Sequence, residues 1–235
     1  MFRLAAAIAL AVSLPAVALA QSIVVDFSSF VVSGAVSYAG GPADPLVGTG
    51  IVIDSVIGLN TPAGIGSHAV TSGALTFTTG PFTGFSGTVY SFGGAALGSF
   101  TITGGVPAAG IADGTTLLTG RLSGASVDVS SNTVYLFTAD GVDVKNPQLV
   151  SFFGLGGALF LFGPAALHLS PTSQPCTAPC AFTATSLDAD VPNTVLPLPQ
   201  AVPTLSEWGL IALSTLLVGV ALWGVRRQAS PAHPA

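Results

Sequence analysis

The sequence predicts an all-β fold, a β-sandwich or an irregular β-roll, with one helix before it and one after it. Three observations carry this reading. Short runs rich in Val, Ile, Thr, Phe and Tyr recur from Ile23 onward, as strands require. Glycine and proline clusters such as Gly40-Gly41-Pro42, Thr79-Gly80-Pro81, Gly93-Gly94 and Gly104-Gly105-Val106-Pro107 separate the runs and turn the chain. Helical periodicity is nearly absent between the two ends.

The first element is Met1 to Ala20. Arg3 is followed by an apolar run from Leu4 to Leu14, then by Pro15 and the small-residue exit Ala18-Leu19-Ala20 before Gln21. This is the pattern of a secretory signal peptide, with Ala18 and Ala20 as the small side chains at the cleavage site and Gln21 as the first mature residue. The Sec translocon and signal peptidase are the partners it implies.

Strands are expected at Ile23 to Phe27, Phe30 to Tyr38, Gly50 to Leu59, Ala74 to Thr79, Thr88 to Phe92, Ser99 to Thr103, Thr115 to Val129 and Thr133 to Thr138. Leu149 to Leu169 is uncharged and long enough to span a bilayer. Gly154, Gly156, Gly157, Gly163 and Pro164 divide it into pieces of strand length, so buried hairpin strands are expected instead, at Leu149 to Phe153, Ala158 to Phe162 and Ala165 to Leu169. Beyond Asp190 the prolines Pro192, Pro197, Pro199 and Pro203 read as an extended stalk.

The last element begins at Val202-Pro203-Thr204-Leu205-Ser206-Glu207-Trp208-Gly209 and continues as an uncharged run that ends at Arg226-Arg227. Gly209 to Val225 gives about 26 Å of helix at about 1.5 Å per residue, a minimal transmembrane span. Trp208 and Trp223, the only tryptophans, stand near its two ends, where indoles favour the headgroup boundary. The arginine pair biases that end to the cytoplasmic side and places the body of the protein outside.

At these residues the chain resembles the IPTL-CTERM sorting signals of Gram-negative exported proteins, relatives of the PEP-CTERM signals handled by exosortases. The resemblance covers Val202 to Arg227, with Val202 standing where the family usually has Ile. It implies that Val202, Pro203, Thr204, Leu205, Ser206, Glu207, Trp208 and Gly209 form a recognition motif and that Arg226 and Arg227 form a basic stop. It further implies an exosortase-type sorting enzyme as partner, and passage from the inner membrane, with the domain in the periplasm, to the cell surface or extracellular matrix. The expected organisation is a signal peptide over 1–20, a β-rich exported domain over 21–189, a stalk over 190–201, and a sorting signal over 202–227. Within that signal the transmembrane helix covers 209–225, and a polar tail over 228–235 follows it.

Composition restricts the function of the middle. Of 235 residues 50% are hydrophobic and 6% charged, and mean hydropathy is +0.76. Only five residues are Lys or Arg, and just Arg121 and Lys145 lie between the ends, too few to follow a phosphate backbone. Nucleic acid is excluded as a partner; extracellular polysaccharide is a candidate, although the exported domain has no tryptophan and only Tyr38, Tyr90 and Tyr135 for stacking on sugars.

Candidate chemistry is sparse. Cys176 and Cys180, separated by Thr177-Ala178-Pro179, suit a local disulfide in an oxidising compartment and lack the four ligands of a zinc site. His68 and His168 have no partner recognisable in sequence, and Gly84-Phe85-Ser86-Gly87 has the wrong spacing for a nucleophile elbow. Asp140, Asp143, Asp188 and Asp190 read as turn residues rather than a calcium loop. Gly154-Leu155-Gly156-Gly157 has no helix or acidic partner suited to a dinucleotide. No catalytic, metal or cofactor residues are therefore expected. The function expected is that of a noncatalytic surface or matrix protein, with an exported hydrolase or carbohydrate-binding module as the alternative.

Overall fold

A computed structural model describes residues 23–138, 143–156, 160–162, 165–170, 180–195 and 212–218. The chain divides into two units, Met1–Leu196 and Pro197–Ala235.

The first unit is a single antiparallel sheet. Its strands are β1 (Ile23–Ser29), β2 (Ser33–Tyr38), β3 (Pro45–Val52), β4 (Ser55–Gly58), β5 (Gly66–Ala69), β6 (Thr71–Ser86), β7 (Val89–Val106), β8 (Ile111–Asp128) and β9 (Thr133–Thr138). They continue with β10 (Val144–Lys145), β11 (Phe160–Phe162), β12 (Ala165–His168), β13 (Phe182–Ser186) and β14 (Ala189–Val195). A short helix α1 (Pro147–Phe152) interrupts the series, and a 3-10 turn at Pro107–Ala109 links β7 to β8.

The strand order is β13-β2-β3-β6-β7-β8-β9-β12-β14-β1-β4-β5, with β10 on β8 and β11 on β14. Several consecutive strands continue one another across brief interruptions. The hairpin of β1–β2 against β3–β4 continues from Tyr38↔Leu46 down to Val25↔Gly58, with a one-residue shift of register between its two halves. Likewise β13–β14 faces β2 and β1 on one side and β12 and β11 on the other. An isolated bridge between Leu169 and Ser186 joins the end of β12 to β13, and the amides of Ser170 and Leu187 donate to the carbonyls of Thr185 and His168. The last strand thus meets the first, and the sheet rolls into an up-and-down barrel. The all-β expectation holds, and the single closed sheet is neither the sandwich nor the irregular roll expected.

Alternation explains what fills it. Along β6, Leu75 and Phe77 are buried while Thr76 and Thr78 are exposed; along β7, Phe100 and Ile102 are buried beside exposed Ser99. This apolar-in, hydroxyl-out pattern is the reverse of a membrane-spanning barrel. The inward row Gly48–Phe77–Phe100–Gly120 crosses four strands in register. A Cβ at Gly48 would lie 2.1 Å from the Phe77 ring and one at Gly120 would lie 2.5 Å from the Phe100 ring, so the glycines make room for the phenyl rings.

The structure differs from the sequence reading in three places. Thr79-Gly80-Pro81, Gly93-Gly94 and Gly104-Gly105 were expected to be turns, but they lie inside β6 and β7, where the ladder shifts register. They act as bulges that bend long strands around a barrel. Leu149 to Phe153 was expected to be a strand, yet Pro147–Phe152 is helical. The Asn146 side chain accepts from the amides of Gln148 and Leu149, and Pro147 stands in the first turn, so a capped start overrides the apolar run. Finally, the expected stalk begins too early. Asp190 to Val195 continues β14, with Pro192 opposite Asp26 on β1, because cross-strand pairing accommodates a proline that composition alone reads as a linker.

The barrel has two distinct ends. One carries the turns between β2 and β3, β6 and β7, and β8 and β9. At the other, Ile23 and Thr194 pair, so the chain enters and leaves side by side. Here α1 acts as a stopper: Leu149 and Phe153 are buried, the Ala63 amide donates to the Phe153 carbonyl, and the Asn146 amide donates to the Leu117 carbonyl.

Candidate functional site

At the turn-bearing end, Tyr38 forms the centre of an aromatic cluster. Its ring lies 5.2 Å from Phe92, 5.5 Å from Phe82, 5.9 Å from Tyr90 and 6.0 Å from Phe182. Tyr38 donates to the Gly41 carbonyl at 2.8 Å, which ties the cluster to the β2–β3 turn. The Cys180 amide donates to the Tyr90 hydroxyl at 3.4 Å. Cys180 is disulfide-bonded, while Cys176 lies outside the described residues. A recess of about 450 Å³ opens beside Tyr38 and Phe182. Among the described residues its lining is aromatic, small and hydroxyl-bearing, with Ser37 and Thr183 beside the two rings and no charged group.

Titratable groups are dispersed over the barrel. His168 Nδ1 lies 2.7 Å from Asp188 on the outer surface. His68 Nε2 sits 2.9 Å from the Gly64 carbonyl, and its ring packs edge-on to Phe152 at 4.8 Å. Both histidines have structural partners. No hydroxyl or thiol bonds to either ring among the described residues, and no group of three metal-ligating side chains occurs there.

Two acidic sites, one buried and one half-buried, were invisible in the sequence. Asp143 and Lys145 form an ion pair of 2.6 Å with side-chain exposures of 0% and 1%. Burial raises the Asp143 carboxyl against the opposing pull of Lys145, and burial lowers the Lys145 ammonium to about 8 against the pull of Asp143. The second site joins Asp26 on β1 to Asp190 on β14. Burial, then the hydrogen bond and the charge of Asp190, raise Asp26 to about 7, while the Val191 amide acts in the opposite direction. Antiparallel register alone brings these carboxyls together, since they lie far apart in the chain. At the surface, Asp128 is held down at about 2, chiefly by hydrogen bonds from Ser130.

Most residues of the expected sorting apparatus lie outside the described set. These are Ala18, Ala20 and Gln21, the motif from Val202 to Gly209, and Arg226 and Arg227. Of the expected helix from Gly209 to Val225, residues 212–218 are described, and they are helical. Leu213, Leu216, Leu217 and Val218 on it are 52%, 63%, 58% and 59% exposed. Among the described residues no helix is long and apolar enough to cross a membrane.

Comparison with known families decides what this segment is. The family model for the IPTL-CTERM motif matches residues 200–227. This chain carries an IPTL-CTERM motif. The matched interval takes in the Pro-Thr-Leu-Ser-Glu-Trp-Gly core, the apolar run and the arginine pair, and it points to the C-terminal sorting signal of an exported protein. No curated protein and no solved structure matches the chain. The IPTL-CTERM motif is thus the part that a family model matches, and the barrel is read from its own geometry.

Proposed function

We propose that this protein is a noncatalytic cell-surface or matrix component, a compact β-barrel delivered by a secretory signal and an IPTL-CTERM sorting signal. The match at residues 200–227 carries the proposal. Lipid gives a physical place to the exposed leucines of residues 212–218. In the cell, the C-terminal helix would hold the chain in the inner membrane with the barrel in the periplasm. A sorting enzyme of the exosortase type would then act near Val202 to Gly209 and release the barrel to the exterior.

The noncatalytic reading draws support from how the polar groups are used. His168 engages Asp188, His68 engages the Gly64 carbonyl, and Lys145 neutralises Asp143 inside the fold. Each arrangement serves packing or solvation. A hydrolase requires a nucleophile, a base and an orienting group converging on one cleft.

The test is expression with and without Val202 to Ala235 in a host that has the cognate sorting enzyme, followed by fractionation. The full chain should pass from the membrane fraction to the surface or medium, while the truncated chain should remain soluble in the periplasm. Identical distribution of the two would refute the proposal.

A further inference from the structure

The barrel end where the chain enters and leaves exposes three aliphatic side chains. Ile65 is 71% exposed, Leu59 46% and Ile23 39%. All three belong to this end. Gly58 and Gly66 pair at the close of the β4–β5 hairpin, so Leu59 and Ile65 leave the ladder from facing positions. The Asn60 side chain donates to the Ile23 carbonyl at 2.8 Å, and the Leu59 amide donates to the Val24 carbonyl at 3.0 Å, which fixes Ile23 beside that loop. His68 braces the loop from within through the Gly64 carbonyl.

The loop that carries Leu59 and Ile65 is uncharged in sequence. No Asp, Glu, Lys or Arg occurs from Ser55 to Val70, from Gly104 to Ala112, or from Asn146 to Gly156. Those are the hairpin loop, the 3-10 turn region and the stopper helix. Asp113 is exposed at this end beside the 3-10 turn, where the Thr71 and Ser72 hydroxyls donate to its carboxylate, while Asp44 and Asp128 lie at the opposite turns.

We propose that this end rests on the surface of the phospholipid bilayer, with Ile65, Leu59 and Ile23 entering the headgroup boundary. The proposal builds on the reading that the IPTL-CTERM helix is held in the membrane. Between Val195, where β14 ends, and Gly209, where the apolar run begins, the chain can extend no further than about 50 Å. The end from which this tether departs is therefore held at high local concentration near lipid, where a weak contact suffices. Three aliphatic side chains are too few for a stable dimer, which needs about 800 Å² from each partner. They suit a tethered surface contact, because the loop that carries Leu59 and Ile65 has no ion to desolvate on insertion.

The experiment uses the full chain with Trp208→Phe and Trp223→Phe, reconstituted in phosphatidylcholine vesicles that contain brominated lipid, with a single tryptophan reporter introduced by Ile65→Trp. A parallel sample carries Phe30→Trp. Phe30 is 84% exposed in the break between β1 and β2, about 23 Å along the strand from Ile23. The Ile65→Trp reporter should be quenched at least about twofold more than the Phe30→Trp reporter, and Leu59→Trp should behave like Ile65→Trp. Equal quenching in vesicles that carry the protein, or stronger quenching for Phe30→Trp, would overturn the docking while leaving the anchor in place. Failure of the chain to float with the vesicles would overturn both.

Discussion

In the barrel, Phe27, Phe77 and Phe100 are 0%, 3% and 1% exposed, whereas Leu213, Leu216, Leu217 and Val218 on the C-terminal helix lie between 52% and 63%. Both regions are rich in apolar residues. In the barrel these residues alternate with Thr and Ser along each strand, so rolling the sheet gives one face a dry interior and the other a hydrated surface. The C-terminal run does not alternate: a single helix cannot cover itself on all sides, and an uncharged helix needs a partner or a bilayer. Pattern, more than hydrophobic content, decides whether a segment folds on itself or seeks another medium.

Variants in the two regions should separate stability from delivery. Gly48→Val is the strongest. Its side chain would enter the space of the Phe77 ring, at the centre of the inward row, and cooperative unfolding in denaturant should be lost. Lys145→Met comes next, because it leaves Asp143 buried and unpaired. A loss of about 3 to 5 kcal/mol is expected in equilibrium unfolding, and adding Asp143→Leu should restore most of it. Neither substitution alters the sorting segment.

A smaller effect tests the carboxyl pair across β1 and β14. The folded chain holds the Asp26 proton up to about pH 7, whereas the unfolded chain releases it near 3.8. The folded state therefore binds more protons between these values, and stability should decline as pH rises through that window. Asp26→Asn should flatten the decline and raise the melting temperature at pH 8 relative to the parent. An unchanged slope would show that the Asp26 carboxyl is not the group that titrates in this window. The smallest effect on stability belongs to the other region. Replacing Arg226 and Arg227 by Gln should leave the barrel's unfolding curve unchanged while weakening membrane orientation, read as protease accessibility of the tail in spheroplasts.

The sequence showed part of this. Strand content was legible because Val, Ile, Thr and Phe recur in short alternating runs, and the IPTL-CTERM segment because its residues are contiguous. Long-range register was not. Gly80, Gly93 and Gly104 look like turn residues until β6 and β7 are seen to be single bent strands, and a glycine bulge has the same composition as a turn. Asn146-Pro147 was the available sign of α1, a cap followed by a proline in the first turn, but the apolar run after it drew the strand assignment. The pairing of Asp26 with Asp190 depends on the first and last strands meeting, which no local pattern specifies.

The delivery reading is tested most directly by the intact mass of the mature protein recovered from a host that has the cognate sorting enzyme. The account predicts a chain that begins at Gln21, retains the barrel through Val195 with Cys176 and Cys180 oxidised, and lacks the apolar run from Leu210 to Val225. A surface-exposed chain whose mass includes an unmodified terminus at Ala235 would contradict it.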